Sequence, residues 1–187
     1  MADVARSRLP KRIALVTFGE THALPSLIAN DFEDALGAYS EIGGTRPPAV
    51  LHSLEGELAV DAVVIIFAAN DAQLAENLLK SLESTCLVYA LASDDTEDAK
   101  NALRALDALK DACNEQGLSW RGGLAVPCRV WYEAHMGKPR MGSARRSLSE
   151  ATDDVVLALR CGNYAGVSVV KAPLRARIST PKTSAHR

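Results

Sequence analysis

The residues best placed to do chemistry in this chain sit where a strand-like run stops. Asp61-Ala-Val-Val-Ile-Ile-Phe67 is followed at once by Ala68-Ala69-Asn70-Asp71 and then by a helical pattern from Gln73 to Glu83. A continuous β-branched run that feeds a helix through a few small or polar residues predicts a buried parallel strand. Ligands of open α/β sheets bind at the carboxyl ends of such strands, so residues 68–71 form a candidate site wall. Asn70 has two roles open to it: it can hydrogen-bond a ligand, or it can cap the following helix with Asp71 as a first-turn acid. A second segment with chemical content runs from Pro127 to Ser143. It carries Trp131, Tyr132 and His135 beside Arg129, Lys138 and Arg140, with Arg145 and Arg146 just beyond. Rings next to cations suit a lid, an anionic ligand or a partner surface. The plainer alternative is that the rings pack on the sheet edge and the cations are solvated.

Other chemistries find little support. The histidines His22, His52, His135 and His186 have no carboxylate or cysteine at ligand spacing, so a metal is not expected. Cys86, Cys113, Cys128 and Cys161 are widely spaced with no CxxC pair, and read as small hydrophobes in a reducing cytoplasm. No GxSxG elbow, GxGxxG fingerprint or other Gly-rich phosphate signature occurs. The net charge of −2 argues against wholesale nucleic-acid binding, although no acidic residue follows Asp154 and the end of the chain is basic. That end lacks interleaved aromatic residues, so nucleic acid is not an expected partner. No apolar run approaches the roughly 18 residues of a membrane span, and no signal core is seen, so the expectation is a cytoplasmic protein.

These residues need elements to position them. Arg12 to Phe18 predicts a first strand, with Ser26 as the N-cap of a helix through about Tyr39. A weak strand is expected near Ala49 to Leu51, and the strongest at Ala62 to Phe67. Thr85 to Ala92 predicts another buried strand, and Ser93-Asp94-Asp95-Thr96 leads into a helix from about Glu97 to Gln116. Arg121 to Val126 predicts a short strand, and Leu148, Ala151, Val155, Val156 and Leu159 share the apolar face of a last helix. At 187 residues one domain is expected, over 11–164, with an N-terminal extension over 1–10 and a flexible basic tail over 165–187.

The stretch from Lys11 to Gly162 resembles the NAD(P)H-dependent FMN reductase branch of the flavodoxin-like superfamily. The resemblance rests on Asp61 to Glu83, on Leu87 to Val126, and on the small-residue turn Glu115-Gln-Gly-Leu-Ser-Trp120 before Gly122-Gly123. It implies a three-layer sandwich whose parallel sheet has about five strands in the order 2-1-3-4-5. It also implies bound FMN, with NAD(P)H as co-substrate and a small-molecule, quinone-like electron acceptor. On that pattern Thr21, His22 and Ser26 would meet the phosphate, Ala69 and Asn70 would flank the ring, Ser93 in the third loop would contact the cofactor, and Arg129 with Trp131 would close the site or receive dinucleotide phosphates. Homodimerisation through the Trp131 loop is implied as well. The loops depart from the family: the Gly-Ser-Pro-Arg type of run is missing, the aromatic slot is replaced by Ala68-Ala-Asn-Asp, and the third loop is acidic. A second expectation therefore stands beside the first, a non-catalytic module of the same fold that has lost FMN.

Overall fold

The computed structural model describes residues 9–19, 22–53, 59–173 and 176. Among them the chain alternates strands and helices: β1 (Arg12–Thr17), α1 (Ala23–Ile42), β2 (Ala49–Leu51), β3 (Ala62–Ala68), α2 (Ala72–Leu79), β4 (Leu87–Ser93), α3 (Lys100–Glu115), β5 (Ser119–Val126), α4 (Arg129–Ala134), α5 (Arg146–Arg160) and β6 (Gly166–Val169). All strands are parallel, in one sheet ordered β2-β1-β3-β4-β5-β6. The expected order of the first five is present, and β6 adds a sixth strand.

The sheet divides the core in two because successive side chains along a strand point to opposite faces. Val64, Ile66, Leu91 and Leu124 face α1 and α5. Val63, Ile65, Phe67, Ala90 and Ala125 face α2 and α3. β3 lies at the centre with all 7 of its residues buried. That explains its unbroken apolar run, since burying each large side chain is worth about 1.5–3 kcal/mol.

Four local expectations are corrected. Helix α1 starts at Ala23, not after Ser26; its N-cap is His22, and Ser26 lies exposed within the first turns. Pro25 fits there because amides of a first helical turn have no intrahelical partner to lose. Asn70 is not a side-chain cap: Ala69–Asp71 form a single 3₁₀ turn, and Asp71 is the N-cap position of α2. The Pro127–Ser143 segment contains the short helix α4 instead of remaining irregular. The segment after residue 164 is not wholly a tail, since β6 pairs with β5 and Val170 is buried behind it.

The Gly122-Gly123 pair has a structural reason. Gly122 has φ 121°, and a Cβ at that position would lie 2.2 Å from the carbonyl oxygen of Gly166. The close approach of β5 to β6 therefore requires glycine at 122. Tyr89 ties the same region together by donating its hydroxyl to the Asn163 carbonyl at 2.8 Å, and burial pushes its pKa up to about 12. Cys86 and Cys113 are buried free thiols, also pushed up to about 12 chiefly by burial, which makes them poor nucleophiles. No described helix is long and apolar enough to cross a membrane.

Candidate functional site

The parallel strands end at one edge, where the segments after β1, β3, β4 and β5 converge. Arg129 is the hub. It opens α4 directly after Cys128, whose left-handed backbone (φ 53°) turns the chain from strand to helix. The turn is fastened to the neighbouring strand end: Cys128 N–H donates to the Thr96 carbonyl at 3.0 Å and Arg129 N–H to the Asp94 carbonyl at 2.8 Å.

All three nitrogens of the Arg129 guanidinium are engaged. It forks onto Asp95 (Nε to Oδ1 2.8 Å, NH2 to Oδ2 3.1 Å) and onto Glu133 one helical turn along (NH1 to Oε1 3.1 Å and to Oε2 3.0 Å). NH1 also donates to Nδ1 of His22 at 2.7 Å. A guanidinium can only donate, so in this geometry Nδ1 of His22 is the acceptor and the ring hydrogen sits on Nε2. Burial works against the charge of Arg129, but the facing Asp95 and Glu133 carboxylates outweigh it and its pKa is raised.

Glu133 carries the network to the first helix. Its Oε1 accepts the N–H of Leu24, in the opening turn of α1, at 3.3 Å. Asp94 does the same for α3. Its carboxylate accepts the N–H groups of Thr96 (3.1 Å), Asn101 (2.8 Å) and Ala102 (3.4 Å), and the Thr96 hydroxyl at 2.9 Å. Burial alone would raise the pKa of Asp94, but these donors prevail and hold it below the usual aspartate value. The N-termini of α1 and α3 thus each carry a carboxylate of the chain itself.

What remains open is a cavity of about 100 Å³ lined by His22, Ala69, Asn70, Ser93, Asp94 and Arg129, among others. Five of the residues expected from sequence (His22, Ala69, Asn70, Ser93 and Arg129) meet here. Ser93 does so with its hydroxyl turned into the sheet, toward the Phe67 carbonyl at 3.4 Å. Ser26 is not part of the cleft, and Thr21 lies outside the described residues. Trp131 is a correction: it stacks on His135 at 4.0 Å and 25° and lines a different cavity. Residues two apart on a helix do not share a face, so Arg129 and Trp131 cannot both close one site. Sequence reasoning missed Asp95 and Glu133 as partners of Arg129, although the spacing from Arg129 to Glu133 is that of an i,i+4 ion pair.

Among the described residues, the strand-end cavity is smaller than a flavin site. Small-molecule sites run to about 300–1,000 Å³, against about 100 Å³ here. The helix amide that would greet a phosphate is taken by Glu133. The loops after β1 and β3 are also drawn together, since a Cβ on Gly19 would lie 2.8 Å from Oδ2 of Asp71.

The fold and site define an α/β protein with a parallel sheet and a self-closed cleft at its carboxyl edge. No protein-family model matches the chain, and no curated protein matches it. Among solved structures, it is similar to the crystal structure of a conserved hypothetical protein from Sinorhizobium meliloti 1021, at 13% identity and a TM-score of 0.35. The match covers 94% of this chain and 59% of that one, so the chain spans less than two thirds of that protein's length.

Proposed function

We propose that this chain is a non-catalytic binding module on a flavodoxin-like scaffold, working without FMN and without flavin-borne hydride transfer. The observation that carries the reading is the Leu24 amide donating to Glu133 at 3.3 Å. In a flavin-binding relative the first helix would present such amides to a phosphate. Here a phosphate at that helix end would face a carboxylate. Two like charges about 4 Å apart repel by about 4 kcal/mol at an effective dielectric constant of about 20, whereas a helix N-terminus contributes up to about 1–2 kcal/mol. Arg129 gives little relief, because Asp95 and Glu133 already share it.

The reading is tested by titrating the full chain into FMN and following flavin fluorescence. The expected result is no saturable quenching up to near-millimolar protein, which corresponds to binding weaker than about −4 kcal/mol. Saturation in the micromolar range would sink the proposal and restore an FMN-dependent NAD(P)H oxidoreductase, with Ala69 and Asn70 flanking the ring.

A further inference from the structure

A cavity well above the strand-end cleft in volume lies on the far side of α4, and we propose that it is a binding site for a small planar aromatic carboxylate. Its volume is about 640 Å³, and its lining includes Trp131, His135, Lys138, Gly142, Ser143 and Pro173. That lies within the usual range for small-molecule sites, which the strand-end cleft does not reach.

Three features select the ligand. First, the Trp131 and His135 rings are stacked, and a planar ligand laid against His135 extends a stack already begun. Second, Nδ1 of His135 lies 2.7 Å from the Trp131 carbonyl, which can only accept, so Nδ1 carries a hydrogen. In that tautomer Nε2, with no partner among the described residues, can only accept, so the ring meets the ligand by its face and leaves the carboxylate to Lys138. Third, among the described residues Lys138 is exposed and makes no ion pair, and no carboxylate lines the cavity. One ammonium matches the single charge of a carboxylate better than the double charge of a phosphate monoester.

The walls are held in place before any ligand arrives. Trp131 donates its indole N–H to the Ala144 carbonyl at 3.4 Å and packs beside Cys128 and Ala172. The backbone under Lys138 is fixed by buried Arg145, which donates to the carbonyls of Met136 and Lys138, each at 2.9 Å. Walls fixed in this way lower the ordering cost of binding. The assignment stands independently of whether flavin binds at the strand ends.

The test is a titration of the ¹⁵N-labelled full chain with 1-naphthoate, read at the indole N–H signals. The chain has 2 tryptophans, and Trp120 packs on the opposite face of the sheet, so it serves as an internal reference. The expected result is a saturable shift of the Trp131 signal with Kd below about 1 mM and a still Trp120 signal. Lys138→Ala, at an exposed position, is expected to weaken binding about tenfold, as is replacing the probe with neutral 1-naphthalenemethanol. The proposal is overturned by any of four results: no saturable shift; equal binding of the neutral probe; a Lys138→Ala variant that binds like wild type; or shifts at the Ala69 and Asn70 amides in place of Trp131.

Discussion

Arg145 and Asp31 form an ion pair at 2.5 Å with each side chain only 6% exposed. Ser149 adds a hydroxyl to Asp31 at 3.4 Å and to the Arg140 carbonyl at 2.7 Å. Together with the Arg145 bonds to Met136 and Lys138, the pair anchors the connection between α4 and α5 onto α1. Removing one member of a buried pair strands the other charge and costs about 3–5 kcal/mol. Asp31→Ala is expected to lower the urea unfolding free energy by about that amount. The double variant Asp31→Leu with Arg145→Met should lose less, because no charge is stranded and the buried Arg145 Nε, which has no partner among the described residues, is removed too. A double variant less stable than Asp31→Ala would contradict this account.

The Glu133 carboxylate makes an opposite kind of prediction, a gain. Glu133→Ala frees the Leu24 amide and leaves Arg129 with Asp95 as its remaining carboxylate. Inorganic phosphate is then expected to stabilise the variant by about 1 kcal/mol once it exceeds its Kd about fivefold. The thermal midpoint of the wild type should not move under the same additions. Equal responses of the two proteins would show that Glu133 does not occupy an anion position.

Asp94 predicts a pH dependence. Its native pKa is held below the ordinary value of 3.8 by the Thr96 and Asn101 donors, acting against its burial. A depressed carboxyl contributes stability that is fully present above the unfolded-state pKa. That contribution is lost as pH falls through the lower native value. Wild type should therefore lose more stability than Asp94→Asn between about pH 5 and about pH 2. At neutral pH Asp94→Asn should cost about 1 kcal/mol, as for other weakened helix caps. Urea midpoints measured across that range compare the two proteins, and parallel curves would rule out Asp94 as the titrating group.

What the sequence made legible follows from how local each cause is. The central strand β3 could be read directly because burial on both faces writes itself as a continuous apolar run. The start of α1 could not, because the Leu24 amide in its first turn is satisfied by Glu133, 109 residues away, and not by the nearby Ser26. Strand β6 was hidden for a different reason: Val167 and Val169 are 39% and 47% exposed, so its four residues show no burial pattern. The cleft residues were legible as strand ends, since topology alone brings His22, Ala69, Ser93 and Arg129 together. Which way Trp131 turned depended on a helix of 6 residues inside a segment expected to be irregular.

Gly122 provides the sharpest test of the sixth strand. Its φ of 121° disfavours any side chain, and a Cβ would also meet the Gly166 nitrogen at 2.7 Å. The obstacle is backbone and cannot swing aside as a flexible side chain would. Gly122→Ala is expected to cost about 2–4 kcal/mol from backbone strain and steric overlap combined. The damage should be local, because β3 and β4 do not touch β6. Hydrogen exchange should therefore show faster exchange at the β6 amides that bond to β5, with Val64 and Ile66 in β3 still protected. Unchanged protection in β6 would mean that the β5–β6 approach tolerates a side chain at 122.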